Sequence, residues 1–383
     1  MKKDTTMKKH ISIGLATLTA VAISLTGCSN VNESSPATGA AGDPMTVSFA
    51  NFDESVPFFQ VIRTTLQDQD PPSHGINVNW YDNKSDPSMM LQNVQQMVNE
   101  QPDALVLYPV SAATEGISRL IEDSGIPCVA LNLDAEACSF LNIDNAALGQ
   151  ESADIVGDIA AERGWTAENT TVLIGQNAAA GEQVNAAVTN FYSKIADKLG
   201  FDPVKPEEIS ASTTTIGDNG VQFDGASTLQ PSFEAVQGLI AGVPADHNII
   251  LYTVNNDSTN GALRALEDAG RADDSKLLIA GLGGDSTGIK SLSEDPRWVA
   301  EGDIFVSYWG QYAVAMAQAL VDGVTPPADV TPLPQLVLSK EELKAYHPDA
   351  TTAVTKLPPL VDDNKYLGDT AFLRSLGNVE GVQ

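Results

Sequence analysis

Residues 75–109 read GINVNWYDNKSDPSMMLQNVQQMVNEQPDALVLYP, and the changes of period inside this stretch decide the fold. Ile76, Val78 and Trp80 alternate with polar residues, the two-residue repeat of a strand. Asp86 stands where an N-cap belongs, and Pro87 follows at the first helical position, where a missing N–H costs nothing. Leu91, Val94, Met97 and Val98 then recur at helical spacing until Pro102 stops the helix. Ala104 to Leu107 is a continuous apolar run, as in a strand covered on both faces. The whole is a strand–helix–strand unit. Such crossovers are right-handed and build parallel sheets, whose ligands bind beyond the carboxyl ends of the strands. The loops Tyr81–Ser85 and Tyr108–Ser111 therefore mark the expected binding edge.

The same alternation continues on both sides. Thr46 to Ala50 reads as a strand, Asn51 to Val56 as a loop, and Pro57 opens a helix carrying Phe58, Phe59, Val61 and Ile62. Ser111 can cap a helix ended by Gly125, and strands follow at Pro127–Leu133 and Ser139–Ile143. The pattern then restarts. Helices are expected at Ala147–Arg163, Glu182–Leu199, Ser232–Ala241 and Thr259–Ala269. Strands are expected at Thr171–Gly175, Ile209–Thr214, Ile249–Val254 and Leu277–Leu282, with a long polar loop through Asp218, Asn219, Asp224 and Gly225. Two successive α/β sets imply two similar doubly wound (Rossmann-like) lobes with a cleft between them, a usual place for a small-molecule site.

The chain has 383 residues, enough for two such lobes, and a net charge of −29 that repels nucleic acid and anionic membrane surfaces. The acids are scattered, so they read as solubility or salt adaptation rather than a binding patch. Lys2, Lys3, Lys8 and Lys9 precede an apolar run, Ile11–Ser24, that is too short to span a membrane. Leu25-Thr26-Gly27-Cys28 follows directly and resembles a bacterial lipobox, which makes residues 1–27 a signal peptide and Cys28 the lipidation site. Residues 28–44, rich in Ser, Ala, Gly and Pro, read as a flexible tether. The protein is thus expected outside the cell, held on the outer face of the bacterial membrane. Cys128 and Cys138 begin consecutive strands, so a disulfide is sterically open to them if those strands are neighbours; two buried free thiols are the alternative. His10, His74, His247 and His347 are isolated, which gives a histidine metal site or catalytic dyad little support, and no cofactor is expected.

Pro57-Phe58-Phe59, Asp82-Asn83-Lys84-Ser85-Asp86-Pro87, Gly125-Ile126-Pro127, Asp144-Asn145 and Asn256-Asp257, in this order and spacing, resemble the type I periplasmic sugar-binding proteins. These are the ribose- and galactose-binding branch of the ABC-transporter substrate-binding proteins, and the resemblance covers about Thr46 to Leu343. It implies two lobes joined by three crossovers near Asp144, Ser307 and Leu336. The first lobe would then hold 45–144 and 308–336, and the second 145–307 and 337–383. The tail from Lys356 extends beyond the family core and has no functional reading.

The resemblance also implies a set of ligand-binding residues. Phe58 and Phe59 match an aromatic pair that sandwiches a sugar ring, with Asn51 and Phe52 in the loop before them. Asn256 matches a hydroxyl-binding Asn. Asn132 falls where the family has Asp, with Asp134 two residues on; Asp285 stands near a family Asp that Leu282-Gly283 lacks. Tyr308 lies near a family Gln, Asn185 stands nearest a missing Arg, and Tyr108 replaces an Asn. Phe58 and Phe59 are adjacent, so a helix cannot aim both the same way. Asp257 doubles as a helix cap, and of Asn255 and Asn256 only one is expected to face a ligand. Gly283-Gly284 reads as a tight turn rather than a phosphate cradle.

A pocket poor in Arg and rich in Asn and aromatics favours a neutral sugar or polyol. The expected protein is a monomeric, lipid-anchored receptor that hands its solute to an ABC permease. The alternatives are a solute sensor for a membrane signalling receptor and a binding protein for a nucleoside or autoinducer. No nucleophile–base constellation marks an enzyme.

Overall fold

The computed structural model describes residues 43–377. The expected leader, the lipidation site Cys28 and His10 lie outside the described residues. Among those described, no helix is long and apolar enough to cross a membrane.

The first lobe opens with β1 (Met45–Asn51), α1 (Pro57–Asp68), β2 (Ile76–Asp82), α2 (Pro87–Glu100) and β3 (Ala104–Leu107). It continues through α3 (Thr114–Ser124), β4 (Cys128–Leu131) and β5 (Ser139–Asn142). Asp86 caps α2 as expected, its side chain accepting from the Met89 N–H at 2.7 Å, with Pro87 at the first helical position. Gly125 ends α3 at φ 67°, a conformation that costs glycine nothing. β4 and β5 pair in parallel, Val129 beside Ser139, which brings Cys128 and Cys138 together in a disulfide.

The second lobe holds α4 (Asn145–Glu162), β6 (Thr170–Gln176), α5 (Gly181–Leu199), β7 (Thr215–Ile216), β8 (Gly220–Asp224) and α6 (Leu229–Leu239). It goes on with β9 (Asn248–Thr253), α7 (Asn256–Asp268), β10 (Leu277–Gly283), α8 (Ser286–Glu294) and β11 (Trp298–Asp303). The chain returns to the first lobe as α9 (Trp309–Val321) and β12 (Val330–Pro332), then re-enters the second as β13 (Leu336–Ser339) and α10 (Lys340–Tyr346). A short α11 (Ala371–Ser375) ends the described chain.

Each lobe is one sheet. The first has the order β12-β5-β4-β3-β1-β2 and is parallel throughout. The second has the order β13-β11-β10-β9-β6-β8-β7, parallel except for β13 and β7 at its edges. β2-β1-β3-β4-β5 and β8-β6-β9-β10-β11 therefore repeat one doubly wound order, which reverses between β1 and β3 and between β6 and β9. The buried strands read as apolar runs because helices cover both faces. Phe49 stacks on Trp80 in the first lobe, and Phe191 on Tyr252 in the second at 4.3 Å.

The expected strand at Ile209–Thr214 does not form. Ser210 and Thr213 bond each other's backbone and side chains in a turn that Gln222 also holds, the local competition that Ser and Thr hydroxyls offer to a ladder. On the side of β6 away from β9, the parallel neighbour is β8, inside the stretch read as a polar loop.

All three crossovers join carboxyl edges. β5 ends at Asn142 and leads through Asp144 into α4; β11 ends at Asp303 and leads into α9. β12 ends at Pro332, and β13 begins beside Asp303 because it runs antiparallel to β11. The Gln335 side chain clasps this junction, accepting from the Asp144 N–H at 2.5 Å and donating to its carbonyl at 3.3 Å.

The boundary placing 337–383 in the second lobe needs correction. Residues to Lys356 stay there: Thr355 bonds the Tyr346 carbonyl, and the Lys356 ammonium lies 4.6 Å over the Tyr346 ring. Beyond that the chain crosses to the first lobe. Asn364 donates to the Pro332 carbonyl at 2.8 Å, Tyr366 meets Thr331 at 2.9 Å, and the Phe372 N–H donates to Gln318 of α9 at 3.1 Å. Leu357, Leu367, Phe372, Leu373 and Leu376 are buried there, a fourth passage between lobes with no regular pattern to announce it.

Candidate functional site

The crossovers leave the two carboxyl edges on either side of one junction, so the strand exits of both lobes define the candidate site. At the first switch point, β1 leaves through Asn51 and Phe52, and β3 through Tyr108. Asn51 is fully buried: its amide donates to the Glu54 carboxylate at 2.9 Å and the Phe59 carbonyl at 2.8 Å, and its oxygen accepts from the Phe52 N–H at 3.0 Å. It ties the exit loop to α1. Asn83, also buried, bonds the Asn51 and Tyr108 carbonyls and accepts from Asn93, so the exits of β1, β2 and β3 are fastened to one another.

On this base lies an aromatic cluster. Phe52 and Phe59 have ring centroids 4.8 Å apart, and Tyr108 meets both edge-on, at 5.6 and 5.0 Å. Phe58 meets Phe59 edge-on at 5.1 Å and Trp309 at 5.8 Å. Phe52, Phe58 and Phe59 are half-buried and keep apolar surface at the edge. Tyr108, only 4% exposed, lies beneath them. Its hydroxyl accepts from Asn132 at 2.6 Å, and burial pushes that hydroxyl's pKa far up, so it stays a neutral prop. Asn132 holds Tyr108 from a left-handed conformation, φ 65°, that Asn adopts more readily than most residues. Asp134 is exposed on the loop from β4 to β5. Tyr308 is half-buried beside the crossover that leads into α9.

The second lobe's exits carry amides, hydroxyls and carboxylates. Asn177, after β6, donates to the Ser227 hydroxyl at 2.8 Å, and Asn255, after β9, to the Ser227 carbonyl at 2.9 Å. Asn185 is buried with both ends of its amide on the Asn177 backbone, at 2.9 and 2.7 Å, so it shapes this rim from behind. Asp224, exposed at the end of β8, accepts from the Ala226 N–H. Asp285 caps α8 through one oxygen, which accepts from Thr287 and Gly288. Burial first, and then the charge of Asp285, raise the Asp257 carboxyl above its usual range, so the two acids are close neighbours.

Asn256, the expected hydroxyl-binding residue, is fully buried and turned inward. Its amide donates to Glu301 at 2.7 Å, and its oxygen accepts from the Leu282 N–H at 3.1 Å. The α7 cap is Asn255, which accepts from the Ser258 N–H, rather than Asp257. Of the adjacent pair it is Asn255 that reaches the rim. Spacing alone does not single out Asn177, Asp224 and Ser227; their signal is their place after strands, which the polar character of the β8 stretch hides. Spacing also passes over Glu301, because an acid within a strand rarely announces itself.

Three comparisons bear on this geometry. Over 246 residues the chain is 25% identical to the ribose import binding protein RbsB of Escherichia coli, covering 62% of this chain and 72% of that protein. An ABC transporter periplasmic solute-binding protein from Actinobacillus succinogenes 130z with bound D-allose superposes with a TM-score of 0.61 at 17% identity, over 79% of this chain and 100% of the other. A solute-binding protein from Bacillus halodurans C-125 with bound myo-inositol gives 0.61 at 15% identity, over 80% and 98%. These structural likenesses speak to the two-lobed fold. The model of the periplasmic binding protein domain matches residues 47–325, well over half of the chain. With its twin doubly wound lobes and three carboxyl-edge crossovers, the chain belongs to the periplasmic binding protein domain family, a family of substrate-binding proteins rather than enzymes.

Proposed function

We propose that the protein is the lipid-anchored substrate-binding component of an ABC importer, and that it captures a neutral sugar or polyol by closing its lobes. One observation carries the ligand class. Half-buried Phe52, Phe58 and Phe59 stand at the strand exits of one lobe, and the strand exits of the other, joined to them by the crossovers, bear Asn177, Asn255, Asp224, Asp257 and Asp285. A sugar offers apolar ring faces to aromatic side chains and hydroxyl protons to carboxylates and amide oxygens. An anion would meet a rim of carboxylates, where the charge of Asp285 adds to burial in raising the Asp257 carboxyl. The ribose-, allose- and inositol-binding relatives support the same class. Closure follows from a ligand that touches both lobes only when they meet.

The lipid anchor rests on Leu25-Thr26-Gly27-Cys28, and delivery to a permease rests on the family. A thermal-shift panel of D-ribose, D-allose, myo-inositol, sugar acids and sugar phosphates tests the reading. The neutral compounds should give the largest upward shifts, and a greater shift with an acid or phosphate would overturn it. Metabolic labelling with a palmitate analogue tests the anchor: wild type should incorporate label and Cys28→Ala should not.

A further inference from the structure

Glu301 is fully buried in β11, behind the second lobe's rim. One carboxyl oxygen accepts from the Asn256 amide at 2.7 Å and from the Gly284 N–H at 2.8 Å; the other accepts from the Trp298 indole at 3.1 Å. Asn256 begins α7 just after β9, and Gly284 belongs to the loop after β10 that carries Asp285. A single carboxyl therefore joins the two loops that bear Asn255, Asp257 and Asp285. The room for it is made by glycine. A Cβ at Gly281 or Gly288 would run into the Glu301 carboxyl and the Asn256 amide, and a Cβ at Gly284 would run into Asp303.

We propose that Glu301 is a positioning residue for ligand binding, fixing the spacing between the β9–α7 turn and the β10–α8 loop. It touches no ligand and acts through Asn256 and Gly284. The inference rests on the sugar- or polyol-binding reading for its affinity readout, but not for its structural one. The groups that face Glu301 include Tyr252 on β9, Asp285 on the β10–α8 loop, and Asp303 on its own strand, itself bonded to His347 after α10. Burial pushes the Glu301 carboxyl up to about 8, and the charges of Asp285 and Asp303 act in the same direction. Its ionisation therefore falls in a pH range where sugars themselves do not titrate.

The test compares Glu301→Ala and Glu301→Gln with wild type. Gln keeps an oxygen for Asn256 and Gly284 and loses only the acceptor for the Trp298 indole, whereas Ala leaves three buried donors without a partner. The probe is whichever of D-ribose, D-allose and myo-inositol binds wild type most tightly by calorimetry. Glu301→Ala should bind about tenfold or more weakly, and Glu301→Gln should stay within about threefold of wild type. Affinity in wild type should change between pH 6 and pH 9, and Glu301→Gln should lose that change apart from whatever the Asp303–His347 pair contributes to both proteins. Wild-type affinity in the Ala variant, or a wild-type pH profile in the Gln variant, overturns the proposal. Should wild type bind none of the three, the functional reading is what fails, and amide exchange at Leu282 and Gly284 decides the role of Glu301. Those amides should exchange faster in Glu301→Ala and recover in Glu301→Gln; unchanged exchange in the Ala variant overturns it. Should the Ala variant not fold, the pH profile and exchange of the Gln variant still decide.

Discussion

Phe59 touches Phe52, Phe58 and Tyr108, so it is the hub of the aromatic cluster as well as part of its exposed face. Phe59→Ala should weaken sugar binding about tenfold, read by calorimetry, since one well-placed aromatic contact is worth about 0.5–1.5 kcal/mol beyond its area. Asp303 and His347 make a separate residue-scale prediction. Their side chains are 2% and 1% exposed, and the imidazole meets the carboxylate at 2.7 Å. Burial works against the charge on His347, but the hydrogen bond and charge of Asp303 prevail and lift its pKa above 6.5. A raised histidine stabilises the fold fully below its unfolded value, and that contribution is lost as pH rises through the folded value. Urea unfolding of wild type should therefore show stability falling above pH 6.5, and His347→Gln should lessen that fall to the part left by the raised Glu301 carboxyl. At this scale the sequence is least informative. Whether an Asn faces a ligand or its own backbone depends on which neighbour reaches its amide. Asn51, Asn185 and Asn256 each found a buried partner from a distant or adjoining element that spacing alone does not disclose.

Elements were legible where local chemistry and period agree. The unit from β2 to β3 has alternation, a capping Asp, a Pro at the helix start and a Pro after its end, and all of these signals point the same way. Asp86→Ala should therefore cost about 1 kcal/mol in urea unfolding, the usual worth of an N-cap. Gly125→Ala should also destabilise, by an amount comparable to the left-handed penalty of about 1 kcal/mol, because its φ is 67°. β8 and β11 lack such agreement. β8 begins with a glycine and buries Gln222 among its apolar residues, whereas the Thr-rich run before it has stronger strand propensity yet reaches the sheet only at its end, as the two-residue edge strand β7. β11 carries two acids at inward positions, Glu301 and Asp303, so it reads as polar although all six of its residues are buried.

For the whole molecule, repetition of the α/β pattern is enough to call for two lobes, and the resemblance places three crossovers where the chain makes them, at 143–144, 304–308 and 333–335. The fourth passage was invisible because its anchors are scattered apolar residues on short turns rather than one face of a regular element. It is nonetheless well packed. Phe372 is fully buried, so Phe372→Ala should cost about 3–5 kcal/mol, measured by urea unfolding. Ending the chain after Pro358 should lower the midpoint further, by uncovering α9 as well.

That last passage also brings the two ends of the described chain together. The Met45 N–H donates to the Gly75 carbonyl at 2.9 Å, and the Phe372 ring lies 6.0 Å from the ring of His74, so entrance and exit share the amino edge of the first sheet. This edge is the back of the lobe, one strand length from the aromatic mouth. A short splice between residues 43 and 377, with new ends opened in an exposed loop elsewhere, should therefore yield a rearranged chain that still folds.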